Sequence, residues 1–127
     1  MTPPGYTGAP PPQQFNLARH CLAGKPGGKT ALIIAGETTT QWTYAQIEEA
    51  VLRLAGGLQT SGLEPGQRLF IRMGNSFDYA IVFFAATAIG AIPIPASPML
   101  TTREVASLLQ HSGASVNDVV LTKAVAL

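Results

Sequence analysis

The residues whose types could carry chemistry are few, and each has a competing structural reading. Gly24-Lys25-Pro26-Gly27-Gly28-Lys29-Thr30 closes as a phosphate-cradling loop closes, because Gly28-Lys29-Thr30 matches the end of G-x-x-x-x-G-K-[ST]. The first glycine of that motif should stand at position 23, which is Ala23. Context differs as well. Such a loop follows a strand and opens a helix whose amino terminus faces the phosphates, whereas here a helical pattern precedes and a strand pattern follows. The run reads as a surface turn. His20 beside Cys21 suggests an activated thiol, but neighbours on a helix point about 100° apart and do not naturally share a proton. His111 falls near the end of a helical pattern and Asp78 near the start of one, where helix-dipole chemistry accounts for both. No carboxylate pair, triad or metal cluster emerges, and no catalytic, cofactor-binding or metal-ligating residue is assigned.

The elements that would position any site are marked by a long uncharged run, Tyr79 to Thr102. A run of more than about 18 such residues is ordinarily a candidate membrane span. Its punctuation argues against one: Gly90 can end a helix, and Pro93, Pro95 and Pro98 would each interrupt one. The run therefore reads as a buried helix from Phe77 to about Ile89, a turn at Gly90 and an extended segment through Ile94, with no membrane span.

Composition narrows the function classes. The chain has 127 residues, 46% of them hydrophobic, a net charge of +1 and only 12% charged residues. That suffices for one core and supplies no basic field for nucleic acid. One cysteine cannot form an internal disulfide, and two histidines do not suggest a structural zinc site. With no secretory or transit signal visible, a cytoplasmic location is expected. Residues 1–14 are rich in proline and glycine and are expected to be a disordered tail, followed by a domain over 15–127.

Within that domain, Asn16 can cap a short, peripheral helix over Leu17 to Leu22, stopped by Gly24. Thr30 to Ala35 and Thr38 to Trp42 read as the arms of a β-hairpin turning at Gly36-Glu37. Thr43 and Gln46 form a capping box, and Ile47, Val51, Leu54, Ala55 and Leu58 make one apolar stripe, stopped by Gly62. Pro65-Gly66 turns into a strand from Arg68 to Met73, with Leu69, Ile71 and Met73 on one face. Asn75 or Ser76 caps the apolar helix. Thr101 and Glu104 form a second capping box, with Val105, Leu108, Leu109 and Ser112 on one face and Gly113 at the close. A last strand uses Val116 and Val119 to Leu121. From Thr43 onward helix and strand alternate, so the fold class is α/β: a partial, mostly parallel sheet with flanking helices and an amino-terminal β-hairpin. The two prolines favour an edge or a local irregularity over a central ladder position for the strand after Gly90.

Five segments, in this order, resemble a known family: Trp42-Thr43-Tyr44-Ala45-Gln46-Ile47, Leu54-Ala55-Gly56-Gly57-Leu58, Gly62-Leu63-Glu64-Pro65-Gly66-Gln67-Arg68, Gly74-Asn75-Ser76 and Gly90-Ala91-Ile92-Pro93-Ile94-Pro95. They are similar to the amino-terminal region of AMP-forming acyl-CoA synthetases, of the adenylate-forming superfamily, over roughly Phe15 to Ser115. The resemblance implies an enzyme that joins a carboxylic acid to the α-phosphate of ATP and passes the acyl group to coenzyme A, with Mg in the full-length family. It also implies a phosphate loop ending in Pro-Lys-Gly, an aromatic-Gly-x-Thr-Glu motif, a ribose-binding Asp and a catalytic Lys. None of these stands in this chain, which is expected to be truncated before the phosphate-binding loop, inactive alone and without cofactors of its own. The carboxy end departs from the family, because Asn117-Asp118 separates Val116 from Val119 and Lys123 to Leu127 follows no family pattern. Two further readings are a standalone interaction or regulatory module that pairs with a partner or with itself through an exposed sheet edge, and a small nucleotide binder built on Gly24 to Thr30.

Overall fold

The computed structural model describes residues 8–9, 12–113 and 119–122. Of the tail expected over 1–14, residues 8–9 and 12–14 are described, and none is helical or extended. Val116, Asn117-Asp118 and Lys123 to Leu127 lie outside the described residues.

The elements follow local signals closely. Helix α1, Leu17–Leu22, is capped by Asn16, whose Oδ1 accepts from the Arg19 N–H at 3.0 Å. Strands β1, Thr30–Ile34, and β2, Thr40–Thr43, pair antiparallel, with a bulge between Thr30 and Leu32. The hairpin is shorter than expected: Ala35, Thr38 and Thr39 belong to its connection. Helix α2, Tyr44–Thr60, starts at the Thr43–Gln46 capping box. Its end is a Schellman close at Gly62, φ +94°: Gly62 N–H donates to Gln59 O and Leu63 N–H to Leu58 O. Strand β3 is Arg68–Arg72, helix α3 is Phe77–Ala88 and strand β4 is Ile92–Ala96. Ser76, not Asn75, caps α3, accepting from the Tyr79 N–H. The same Schellman pattern closes α3, with Gly90 at φ +77° and hydrogen bonds from Gly90 to Thr87 O and from Ala91 to Ala86 O. Helix α4, Thr102–His111, starts at the Thr101–Glu104 box, and β5 is Val119–Thr122. No helix among the described residues is long and apolar enough to cross a membrane.

The parallel sheet has the order β4-β3-β5, with β3 in the centre and β4 at an edge. The chain leaves β3 to one side through α3 and crosses back to the other side through α4. Right-handed crossovers, the general rule, would put helices reached in opposite directions on opposite faces, and the contacts of α3 and of the segment leading to α4 agree. Ile81, Val82, Ala85 and Ala86 of α3 join Leu69, Ile71 and Met73 in one core, with Ile47, Val51, Ala55 and Leu58 of α2. From the other face Arg72 Nη2 reaches Pro98 O at 3.1 Å and Leu100 O at 2.6 Å, in the segment leading to α4.

Leu69, Ile71 and Met73 share one face as expected, and Phe70 on the other face is as deeply buried; central parallel strands are covered on both faces. Two sequence expectations need revision. Leu54 is half-buried and stands at the margin of the α2 stripe. Helix α1 is not peripheral: Ala18 and Leu22 are buried, and Asn16 Nδ2 donates to Thr87 O at 3.2 Å and Ala88 O at 3.0 Å. One side chain thus starts α1 and ties it to the Thr87 and Ala88 carbonyls in the last turn of α3. A second tether is the Trp42–Phe77 stack, with ring centroids 4.4 Å apart, which fastens the hairpin to the start of α3.

Candidate functional site

In an open parallel sheet, ligands settle outside the carboxyl ends of strands where successive connections leave toward opposite faces. In the order β4-β3-β5 that reversal falls between β3 and β5; the crevice found among the described residues lies beside it, at the carboxyl ends of β3 and β4. The loop after β3 turns to α3 on one face and the loop after β4 turns to α4 on the other. This open crevice, of about 430 Å³, is lined by Met73, Gly74, Asn75, Tyr79, Pro95, Ala96, Ser97 and Pro98.

Each wall has a local cause. Residues 73–76 connect β3 to the Ser76 cap, which sets Tyr79 in the first turn of α3. On the opposite wall, Ser97 Oγ accepts from the Met99 N–H at 3.1 Å, and the Arg72 guanidinium holds the carbonyls of Pro98 and Leu100. Arg72 is a half-buried cation spent on carbonyl oxygens, and its Nε is buried without a hydrogen-bond partner. Beyond this wall, the Thr101 backbone N–H and then its hydroxyl donate to Glu104, which holds that carboxyl below the ordinary glutamate value. The lining side chains supply an amide, a phenol and a hydroxyl among apolar groups, and no charge. Such a set can orient an uncharged or amphipathic group by hydrogen bonding. It does not fit a triphosphate, whose binding calls for cations or converging amide donors.

The phosphate-loop look-alike lies between α1 and β1, and its carbonyls are what it presents to a helix. Gly27 O accepts from the Ala45 N–H at 3.1 Å and Lys29 O from the Tyr44 N–H at 3.0 Å. Donors at the start of α2 that an anion would use are thereby occupied. His20 is exposed with its ring against Phe15, while Cys21 is half-buried against the core, so the structure brings no proton acceptor to the thiol from that pair. His111 Nδ1 lies 2.7 Å from Ser107 O in the last turn of α4. Among the described residues no group of three or more His, Cys, Asp or Glu is placed to hold a metal ion. Asn75 and Ser97 were not singled out as site residues from sequence. Their signal was the alternation of helix and strand, but the strand order that brings them together is not written in it.

Comparison with known proteins places this geometry. Residues 18–125 match the family described as AMP-binding enzyme. The 4-coumarate–CoA ligase 1 of Petroselinum crispum is 33% identical over 107 residues, which is 83% of this chain and 20% of that protein. An acyl-CoA ligase of Ajellomyces capsulatus is 34% identical over 80 residues, 63% of this chain and 14% of its own length. Among solved structures, a benzoate CoA ligase from Burkholderia xenovorans LB400 superposes with a TM-score of 0.68 at 32% identity, covering 80% of this chain and 20% of that one. A long-chain-fatty-acid–CoA ligase from Archaeoglobus fulgidus gives 0.69 at 29% identity, covering 79% and 22%. The chain thus spans about a fifth or less of the length of these curated relatives. Its small α/β fold, an antiparallel hairpin beside a parallel sheet, matches the amino-terminal domain of acyl-CoA ligases. With a family match running from α1 through β5, the chain belongs to the AMP-binding enzyme family, the AMP-forming synthetases.

Proposed function

We propose that residues 15–127 are the first part of an ATP-dependent ligase that activates a carboxylic acid as an acyl-adenylate and transfers it to coenzyme A. The observation that carries this reading is the family match over residues 18–125. On this proposal ATP, Mg and coenzyme A belong to a longer, cytoplasmic protein, and residues 1–14 are a tail ahead of the domain. The relatives named for 4-coumarate and benzoate favour an aryl acid mildly over a fatty one. The 127-residue chain is inactive alone, because its crevice offers neither charge nor converging donors for the phosphates undergoing attack. An ATP–pyrophosphate exchange assay tests it. Residues 1–127 should give no exchange with 4-coumarate, benzoate or a fatty acid, and a longer product of the same gene should give exchange with one of them. Robust exchange by the short chain would refute the inactivity; none by the longer product would refute the ligase reading.

A second reading, an interaction module, draws on one observation. The parallel sheet has three strands among the described residues, and so leaves two edges. Light scattering over a range of concentrations tests it, a monomer throughout counting against it.

A further inference from the structure

Arg72 does not line the crevice, yet it holds one of its walls. It ends β3 and is level with Ala96, which ends β4. Beyond that rung the chain turns: Leu100 N–H donates to Ser97 O at 3.3 Å and Met99 N–H to Ser97 Oγ at 3.1 Å. Arg72 Nη2 donates to the carbonyls of Pro98 and Leu100 in the same turn. Ser97 is thus fixed from two sides, by the last rung of the β3–β4 ladder and by the clamped carbonyls that follow it. Both restraints start from Arg72.

For stability alone the arrangement is costly. A half-buried guanidinium is partly desolvated, and its Nε is buried without a hydrogen-bond partner among the described residues. An apolar side chain of similar length would fill the space without that cost. What it would not do is hold two carbonyl oxygens in place through charge-assisted hydrogen bonds.

We propose that Arg72 is a positioning residue of the ligase, setting the Ser97 hydroxyl across the crevice from Asn75 and Tyr79 for an uncharged, hydrogen-bonding part of the substrate. This inference rests on the ligase reading above and gives its crevice a residue and a ligand class. Because Ser97 Oγ already accepts from the Met99 N–H, its own hydrogen is left to donate. Hydroxyl, phenol and amide together match carbonyl or amide groups and not a triphosphate. Among the proposed substrates that chemistry belongs to the acyl carbonyl of the activated acid or to the amide-bearing arm of coenzyme A, and separate titrations tell the two apart.

The test is steady-state kinetics on the longer product of the same gene, with KM measured separately for acid, ATP and coenzyme A and far-UV circular dichroism on each protein. Wild type is compared with Arg72→Leu, Arg72→Lys, Ser97→Ala and the double variant Arg72→Leu/Ser97→Ala. Arg72→Leu and Ser97→Ala should each raise the KM for the acid or for coenzyme A, the same one in both, by about tenfold. The KM for ATP should not change. Arg72→Lys keeps the charge without the fork and should fall between wild type and Arg72→Leu. The double variant should be no worse than either single change, because Arg72 acts through Ser97. A wild type without ligase activity would overturn the ligase reading and this inference with it. An active wild type whose KM values for acid and coenzyme A are untouched by folded Arg72→Leu would overturn the inference alone, as would a rise confined to ATP or single effects that add. If Arg72→Leu loses its native spectrum, Arg72→Lys decides, and no rise in the KM that Ser97→Ala raises would overturn the inference.

Discussion

Helices α2 and α4 carry the same kind of apolar stripe and meet different fates. In α2, Ile47, Val51, Ala55 and Leu58 are buried against α3 and the sheet. In α4, Val105, Leu108 and Leu109 fall on one face at the same spacing, yet no α4 residue is buried and Leu108 is 41% exposed. Periodicity therefore says which face of a helix would be covered. Whether it is covered depends on what the rest of the sheet supplies. The α2–α3 side is a finished core, while the α4 side is anchored chiefly through Arg72 and the carbonyls of Pro98 and Leu100.

The largest expected effect tests the finished side. Leu69→Ala removes a side chain with no exposed surface and should destabilise the chain by about 2–5 kcal/mol. Leu108→Ala should change stability by no more than about 0.5–1 kcal/mol. Denaturant midpoints of the two variants check this; equal losses would abolish the contrast. Next is Gly90→Ala. Its φ of +77° strains any L residue by about 1–2 kcal/mol, and the new Cβ would meet Pro65 Cβ at 3.3 Å. A loss below about 0.5 kcal/mol would show that the α3 close is looser than described. Asn16→Ala removes the α1 cap and both bonds to the end of α3, with an expected loss of about 1–2 kcal/mol. Asn16→Ser keeps the cap and loses only the reach to α3, and so separates the two roles.

The smallest effect concerns acid and the α4 side. Glu104 has a lowered folded pKa, so its stabilising contribution is complete above the ordinary glutamate value and is lost as pH falls through the folded one. Glu104→Gln keeps a box partner that does not titrate and should flatten the acid limb of the α4 helical signal. An unchanged acid limb would mean that the box does not hold the helix start.

Local signals were readable in sequence. Both capping boxes, the glycine stops and the apolar stripe of α2 are settled by residues within one or two turns of each other, and the structure has them in place. The outer position of β4 was readable in part, because prolines favour an edge or an irregularity over a central strand. The central position of β3 was not, since it depends on a strand some fifty residues away crossing back to pair with it. Nor was the double role of Asn16: its cap is local, but its bonds to Thr87 and Ala88 span the chain. The crevice escaped for the same reason. Asn75 and Ser97 look like ordinary turn residues until β3 and β4 become neighbours whose loops leave in opposite directions.

By itself, then, the sequence determined where the helices start and stop, the α/β class and the family, because caps, breakers and short motifs act over a few residues, while strand limits came with pairing. Only the tertiary structure decided that β3 is central, that Arg72 meets the carbonyls of Pro98 and Leu100 and that Asn75 and Ser97 share a crevice. Those outcomes are set by strand order and register, which depend on burying one apolar face against another across long separations and leave no local mark.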